Sequence, residues 1–507
     1  MKKFILYTLF FVLLLSNIGC QKFLDKEPVG QYTPASFYQN ATQAVQAVNA
    51  AYQPLTFTNA LNNPLWVFGD VASDDAVAGH PGDQPSIDNI DQFNYNATNG
   101  NLNAEWGNFY QGITACNLVL DNVPAINMDT TLRNRILGEA KFLRAWYYFM
   151  LINIYGDVPL VTSYLNPNQL QVPKTAAATI YASLIEPDLK WAMTVLPKNY
   201  NNSNADIGRV TWGAAASLLS KVYLYQQDWD SSLIYSQQVI ASNQYSLMPV
   251  YRQDFDADHK NNSESIFEVQ MLSGQSPQTG DALNQWFAPA QDGGYYHDAP
   301  TQSFVNEFEQ TAGGIYDPRL DYTIGRDGMP WFNGEIFSAS WSNTGYLTRK
   351  YQQPFSEIPI SLKGDGSCDY LAIRYADVLL WNAEALNESG QSGAALIPLN
   401  MVRKRARESY LYDSSLVGYG TIPPGLLPDV TATDQTTLRG DIQHERRVEF
   451  GFEFHRYFDI IRWGAAYANR VMIDSAASAG TAGFNYTANR HFLLPQIELQ
   501  TDQALHQ

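Results

Sequence analysis

Residues 212–240, WGAAASLLSKVYLYQQDWDSSLIYSQQVI, decide the fold of this chain. Apolar side chains recur at spacings of three and four residues on both sides of the polar stretch QQD, which predicts two helices joined by a tight turn. Leu219, Tyr223 and Ser232 lie where a tetratricopeptide unit carries its large and small packing residues. The segment therefore predicts a helical-repeat scaffold.

The same periodicity recurs along the chain, so we expect a mostly α fold with few short strands. It is found in ATQAVQAVNAAYQPL (41–55), WGNFYQGITACNLVLDNV (106–123), LRNRILGEAKFLRAWYYFMLINIYG (132–156), YLAIRYADVLLWNAEALNESG (370–390), AALIPLNMVRKRAR (394–407) and IQHERRVEFGFEFHRYFDIIRW (442–463). The last segment is typical of a long amphipathic helix. Residues 371–407 predict a second helix pair, in which an interior Pro398 would cost ~3 kcal/mol. We therefore expect Pro398 in the first turn of its helix, or that helix to begin later.

Two stretches lack this periodicity, near residues 57–104 and 245–370. Both are rich in Gly, Pro, Asn and Asp, with scattered aromatic residues and short strand-like pieces such as SIFEVQM (265–271). Loops of this length in a compact domain are usually functional or disordered, and the Trp and Tyr content argues against disorder. The two stretches are therefore the predicted ligand-binding regions.

The first twenty residues, MKKFILYTLFFVLLLSNIGC, have the layout of a secretory signal. Two interpretations are open: cleavage near Gly19 with Cys20 incidental, or a lipoprotein signal cut just before Cys20, whose thiol takes the lipid. Because the small residue Gly19 directly precedes the cysteine, we expect the second. This predicts a signal peptide at 1–19 and a single domain at 20–507, anchored to a membrane by lipid because no other apolar run of spanning length follows.

Composition narrows the function classes. The formal charge is −18, from 50 acidic and 32 basic residues, and no basic stripe stands out, so we expect no nucleic-acid partner. The chain carries 31 Tyr, 25 Phe and 11 Trp but only 16% charged residues, which leaves many flat apolar faces to bury or to offer. Cys116 is predicted to be a small buried residue and Cys368 a loop residue, and whether they form a disulfide stays open.

Several long blocks, in order, resemble the SusD/RagB family of outer-membrane nutrient-uptake lipoproteins of Bacteroidetes. The blocks are KFLDKEP (22–28), GEAKFLRAWYYFMLINIYGDVPLV (138–161), RYADVLLWNAEALNESG (374–390), LNMVRKRAR (399–407), ERRVEFGFEFHRYFDIIRWG (445–464) and HFLLPQIELQTDQALHQ (491–507). The resemblance implies about four tetratricopeptide-like helix pairs, with loops laid over one side as a glycan-binding face. It also implies a lipid-anchored protein, exposed at the cell surface on the outer membrane. Such a protein binds oligosaccharide or polysaccharide without cleaving it and passes it to a SusC-like TonB-dependent transporter.

Sugar rings have apolar C–H faces and a rim of hydroxyls, so their sites need aromatic platforms and hydrogen-bonding side chains. For each aromatic residue alone, core packing is the stronger expectation; as a set in glycine-rich loops, we favour a binding face. The predicted glycan-binding residues are Trp66, Asn94, Tyr95, Trp286, Tyr295, Tyr296, Trp331 and Trp341. We expect Trp286→Ala or Trp331→Ala to weaken glycan binding with little change in stability.

Two alternatives remain at this stage. Glu445, Glu449 and Glu453 lie at i+4 steps, and a pair of carboxyl groups ~5–5.5 Å apart is what a retaining glycoside hydrolase needs. An ion-pair ladder with Arg456, Asp459 and Arg462 explains the same acids without chemistry, so we expect no enzyme. The other alternative is a tetratricopeptide-type protein–protein scaffold, whose aromatic residues would line the helical groove and leave the loops bare.

The acidic stretch SDDAVAGHPGDQPSIDNID (73–91) is a weak candidate for Ca²⁺. It lacks the regular spacing of an EF-hand loop, and solvated acidic loops are the simpler interpretation. The seven histidines are scattered, without a metal-binding spacing such as H-E-x-x-H. We therefore expect no cofactor and no metal site.

Overall fold

The protein is mostly α-helical, as the periodicity predicts. The structure, a computed structural model, describes residues 37–201, 203–358, 363–474 and 483–506, so the expected signal peptide and Cys20 lie outside the described residues. The helices are α1 (Ala41–Tyr52), α2 (Pro85–Asp91), α3 (Gly100–Asn122), α4 (Thr130–Tyr155), α5 (Ala177–Ile180), α6 (Glu186–Val195), α7 (Trp212–Tyr225), α8 (Trp229–Ala241), α9 (Leu283–Phe287), α10 (Gln302–Val305), α11 (Arg319–Thr323), α12 (Tyr375–Glu388), α13 (Ser392–Tyr412), α14 (Gln435–Phe450), α15 (Arg456–Arg462), α16 (Ala465–Asp474), α17 (Tyr486–Asn489) and α18 (Gln496–Thr501). Within these ranges, none of the helices combines the length and apolar character that a bilayer crossing requires.

The scaffold is a stack of helices that follow one another in chain order. Each of α1, α3, α4, α6, α7, α8, α12 and α13 packs against the next member of this series. Taken two by two, these helices form four pairs, and each pair buries its apolar face against its neighbours, as helical repeats do. The predicted tetratricopeptide-like scaffold of about four helix pairs is confirmed.

The α7–α8 pair shows how the sequence specifies the stack. Thr211 and Asp228 cap the two helices, because their side chains accept hydrogen bonds from the backbone N–H groups of Ala214 and Ser231. The hydroxyl of Ser220 donates to the backbone carbonyl of Ser232 at 2.9 Å, and both serines are buried. Small side chains at this contact therefore let the helices approach closely.

Pro398 departs from the sequence-based expectation. It lies in the second turn of α13, not in the first turn, and α13 does not begin later. Ala395, Leu399 and Val402 around it are fully buried. Burial of such aliphatic side chains contributes about 1.5–3 kcal/mol for each Leu or Val, which outweighs the hydrogen bond that a proline removes.

Strands are few and short, as expected. They are β1 (Ala76–Val77), β2 (Val158–Pro159), β3 (Lys174–Thr175), β4 (Ser265–Val269), β5 (Ala299–Pro300), β6 (Ile324–Arg326), β7 (Tyr346–Thr348) and β8 (Tyr370–Arg374). Each sheet is an antiparallel pair: β1–β5, β2–β3, β4–β8 and β6–β7. Three of these pairs lie in or border the irregular stretches, where they tie the loops to one another.

The expected long helix over 442–463 is wrong, because two helices occupy this segment. α14 ends at Phe450 and α15 begins at Arg456. Between them, Phe452 and Phe454 have φ angles of 61° and 66°, which a right-handed helix cannot contain. Both phenylalanines are buried in hydrophobic clusters, so packing of their rings determines the break.

The acids of this segment form a buried network, not a ladder along one helix. Glu449 pairs with Arg319 at 2.8 Å, with Arg374 at 2.6 Å and with Arg405, and these partners come from α11, β8 and α13. Burial opposes ionisation of Glu449, but Arg405, Arg374 and Arg319 outweigh it and hold its pKa well below the usual value. The glutamates of this segment therefore have the structural, ion-pairing role that the sequence predicts. Most of their partners, however, come from distant elements and not from the same helix.

The two described cysteines are both buried and free, so no disulfide joins Cys116 to Cys368. Cys116 lies on α3, as the sequence predicts, and Cys368 lies in the loop before β8. Burial raises the pKa of the Cys368 thiol, which makes it unreactive toward oxidants near neutral pH.

His444, on α14, is expected to make stability depend on pH. It lies 3.2 Å from Glu307 and 3.4 Å from Glu309. Burial opposes its protonation, but hydrogen bonds to these two acids outweigh burial and raise the pKa of His444 to about 9. Since its pKa exceeds the unfolded value of about 6.5, the stabilisation is complete below pH 6.5 and is lost as pH rises through 9.

We therefore expect His444→Gln to lower stability by at most roughly 3 kcal/mol near pH 6 and by much less near pH 9.5. Melting temperatures of the two proteins across this range measure the effect. A difference that stays constant with pH would mean that His444 is neutral in the folded protein.

Candidate functional site

The two irregular stretches meet, although 140 residues separate them in sequence. Ala76 pairs with Pro300 and Val77 with Ala299 in the β1–β5 sheet. The backbone N–H of Asp298 donates to the carbonyl of Ala78 at 3.2 Å, which extends this contact toward residue 80. This juxtaposition brings parts of the two predicted ligand-binding regions together.

Gly79 makes the close approach possible. Its φ angle is +92°, and a Cβ atom at this position would lie 2.2 Å from the carbonyl oxygen of Tyr296. The following residue, His80, then stacks on the ring of Tyr296, with centroids 4.2 Å apart and planes inclined by 25°. Only glycine satisfies both the backbone angle and the contact.

Trp286 and Tyr295 form the next part of the surface. The backbone folds back on itself here, because the N–H of Tyr295 donates to Gln285 and the N–H of His297 donates to Trp286. The rings of Trp286 and Tyr295 lie 5.6 Å apart in an edge-to-face arrangement. Trp286 is half-buried and Tyr295 is 39% exposed, so both rings are accessible from outside.

Trp66 lies beneath these rings. It is fully buried, and its indole N–H donates to the carbonyl of Ala60 at 3.0 Å. Its ring centroid is 6.0 Å from that of Trp286 and 6.1 Å from that of His297. In this position Trp66 supports the exposed rings and offers no face of its own to a ligand.

Trp331 and Trp341 form a second aromatic group, next to Tyr296. Trp331 is 5% exposed and belongs to a small core with Phe337 and Leu347, against which Tyr296 and Trp341 pack. The centroids of Trp331 and Trp341 lie 6.5 Å apart. Trp341 and Tyr296 are half-buried, so they present the outer faces of this group.

Together these side chains form one continuous strip, which we call the aromatic band. It consists of Trp286, Tyr295, His297, His80, Tyr296, Trp331 and Trp341, each within ring-contact distance of another member or packed against it. Tyr296 has a φ angle of 44°, an unusual conformation for an aromatic residue. Strained backbone of this kind clusters at ligand-binding sites.

Asn94 and Tyr95 are not brought to the aromatic band by any contact in the described residues. The ring of Tyr95 lies 5.5 Å from that of Phe492, in the C-terminal segment. Asn94 is exposed, and its backbone N–H donates to Asn89. Their assignment to a glycan site stays a prediction for a separate part of the surface.

Charged side chains around the aromatic band are largely committed to other contacts. Arg326 binds Asp321 through two hydrogen bonds, and the Arg349 guanidinium lies 5.5 Å from the Trp331 ring centroid while donating to two backbone carbonyls. Asn333, by contrast, is exposed and accepts one hydrogen bond from Ser356 at 2.9 Å. Exposed amide and phenol groups such as those of Asn333 and Tyr295 suit hydroxyl-rich ligands, and Asp83, 38% exposed, adds a carboxylate.

The acidic stretch at 73–91 is partly buried, contrary to the expectation of solvated loops. Arg456 and Arg447 both pair with Asp74, and Arg447 also pairs with Asp75. Burial opposes ionisation of Asp74, but the two arginines outweigh it and lower its pKa to about 2. These two carboxylates are therefore ion-paired with arginines. The spacing of the acids in the sequence does not predict these distant partners.

Asp83 joins His80 and His297 of the aromatic band, a grouping that the sequence analysis missed. The Nε2 atom of His297 lies 3.2 Å from Oδ2 of Asp83, and Nδ1 of His297 lies 2.9 Å from the carbonyl oxygen of Ala78. Burial lowers the pKa of His297 despite these contacts. No local sequence spacing signals this group, because 217 positions of chain separate His80 from His297.

Known proteins resemble this chain over most of its length. A family model described as "SusD family" matches residues 263–492, and one described as "Starch-binding associating with outer membrane" matches residues 22–224. The SusD-like protein P2 of Formosa agariphila is 27% identical over 96% of this chain and 95% of its own length.

Solved structures agree with these matches. A SusD-like carbohydrate-binding protein of Bacteroides fragilis superimposes with a TM-score of 0.79 at 25% identity, covering 92% of this chain and 99% of that one. A laminarin-binding SusD-like protein superimposes with a TM-score of 0.74 at 27% identity, covering 92% and 98%.

Proposed function

The chain belongs to the SusD family, and from that premise we propose that it is a cell-surface glycan-binding lipoprotein. It captures oligosaccharide and passes it to a SusC-like TonB-dependent transporter of the outer membrane. The observation that carries the glycan part is the aromatic band, in which partly exposed rings from two distant loop regions form one surface. The family description, starch-binding associating with outer membrane, supports the location.

The aromatic band fits the chemistry of carbohydrate. Flat rings such as those of Trp286, Tyr295 and Trp341 stack on the C–H faces of sugars, while phenolic and amide groups at their edges bind hydroxyls. Trp66 and Trp331 lie below and hold the exposed rings in place. Such preorganised rings lose little conformational entropy on binding, which favours affinity.

The placement of the rings also separates this proposal from its alternatives. The aromatic band lies in the loops that cover the scaffold, where a glycan site is expected, while the protein–protein alternative requires rings along the helical groove. The hydrolase alternative rests on Glu445, Glu449 and Glu453, which are fully buried and ion-paired. They cannot reach a glycosidic bond, so we propose binding without cleavage.

A neutral glucan is the ligand class that we propose. The chain carries a net charge of −18, and Arg326 and Arg349 beside the aromatic band are committed to other contacts, which disfavours a polyuronate. The laminarin-binding structural relative makes β-linked glucan the first member of this class to test.

We expect the purified full chain to bind laminarin or another neutral glucan in isothermal titration calorimetry, and not to bind polygalacturonate. Product analysis of the same mixtures should show no shortened glycan. If no polysaccharide in a broad panel binds while the chain still copurifies with a TonB-dependent transporter, the glycan part of the proposal fails and only the scaffold part survives.

A further inference from the structure

Three potential metal ligands from two loop regions meet, and two of them, His80 and His297, belong to the aromatic band. Nδ1 of His80 lies 3.9 Å from Oδ2 of Asp83, and Nε2 of His297 lies 3.2 Å from the same oxygen. All three donor atoms lie within 4.8 Å of one another. Ligand atoms on a tetrahedral Zn²⁺ are about 3.4 Å apart at the usual bond lengths, so a shift of roughly 1 Å completes the arrangement.

A neutral His297 imidazole can donate a hydrogen bond to only one of its two neighbours, the carbonyl of Ala78 and the carboxylate of Asp83. The carbonyl of Ala78, 2.9 Å from Nδ1, accepts only, as does the Asp83 carboxylate, and a neutral imidazole has one ring proton to donate. A hydrogen bond to Ala78 places that proton on Nδ1. The lone pair of Nε2 then faces a carboxylate oxygen at 3.2 Å. Two acceptors this close repel each other unless a cation lies beside them.

His80 supplies an independent indication of a metal site. Its Nδ1 atom is buried and has no hydrogen-bond partner, an uncommon state for a polar atom. Stacking on Tyr296 at 4.2 Å fixes the ring plane, and the positive φ of Gly79 brings residue 80 against residues 296 and 297. The free nitrogen is therefore held beside the Asp83 carboxylate by packing.

From these contacts we propose that His80, Asp83 and His297 bind a divalent transition-metal ion, with Zn²⁺ as the best match. Two imidazole nitrogens and one carboxylate oxygen are donors that Zn²⁺ prefers, while Ca²⁺ requires six to eight oxygens. The bond from His297 to the carbonyl of Ala78 is the outer contact that fixes the tautomer of a metal-binding histidine. The side chains of His80 and Asp83 are 35% and 38% exposed, so the group lies at the protein surface.

Metal binding by this site does not depend on the proposed glycan function, so it is tested without any glycan. We expect the purified, tag-free full chain, treated with EDTA and dialysed, to bind one equivalent of Zn²⁺ in calorimetric titration with ZnCl₂. His80→Ala and Asp83→Asn should each lower the affinity by about 100-fold or more, because each removes a ligand. Both positions are partly exposed, so the variants should fold, and unchanged melting temperatures without metal check this.

His259 provides the matched control. It forms a similar surface pair with Asp256, three residues away, at 2.7 Å, but no third ligand joins this pair within the described residues. His259→Ala should leave Zn²⁺ binding unchanged. The proposal is overturned if the full chain binds no Zn²⁺, or if His80→Ala and Asp83→Asn bind it as tightly as the parent.

Discussion

Glu449→Gln is expected to destabilise the protein by about 3–5 kcal/mol, the largest effect of any charge substitution considered. The substitution keeps the size of the side chain but removes the charge shared by Arg319, Arg374 and Arg405. All four side chains are buried, so the arginines would lose the one carboxylate that all three share, and water could not replace it. Each arginine keeps other acidic partners, such as Glu445 for Arg319 and Glu264 for Arg374 and Arg405. A fall in the midpoint of thermal or urea unfolding measures the loss.

The matched control is Arg439→Gln, which breaks a pair on the surface. Arg439 donates two hydrogen bonds to Glu388, at 2.6 and 2.7 Å, but its side chain is 38% exposed. Solvent screens such pairs, so we expect a loss below about 1 kcal/mol. Equal effects of the two substitutions would show that burial does not determine how much the Glu449 network contributes to stability.

Trp286→Ala is expected to lower glycan affinity by about 1–3 kcal/mol, or roughly 5- to 150-fold, by analogy with the stacking of bases on aromatic side chains. Trp286 is half-buried toward one end of the aromatic band, between Tyr295 and His297, and its accessible part is expected to stack on a sugar ring. Calorimetry with the best-bound glucan of the panel measures the change. Trp191→Ala, at another half-buried tryptophan, on α6 and beside Lys141, is the control and should leave affinity unchanged.

Trp331→Ala is expected to destabilise the protein, whereas the sequence alone predicts little change in stability. Because Trp331 is only 5% exposed and packs on Phe337, its removal should cost about 3 kcal/mol or more of stability. The melting temperature distinguishes the two tryptophans. A glycan affinity that is unchanged in Trp286→Ala, in a variant that melts like the parent, would remove the aromatic band from the binding site.

Comparison of Trp286 with Trp66 shows how far the site was predictable. Both residues occur in glycine- and proline-rich stretches, and the composition of these stretches identified them as candidates. Composition does not show which of these side chains is exposed to solvent, however, because burial depends on contacts with residues hundreds of positions away. Trp66 is sealed by Phe287 and His297, and neither contact leaves a local pattern.

The sequence by itself determined the helices and their stacking. Periodicity, caps and small residues act within a few positions of one another, so 212–240 specifies α7 and α8, and each helix pair packs against its neighbours along the chain. Only the tertiary structure decided the break at Phe452 and Phe454, the arginine partners of Glu449, and the meeting of His80 with His297. These features depend on side chains brought together from distant segments, where packing and the pairing of buried charges outweigh local preference.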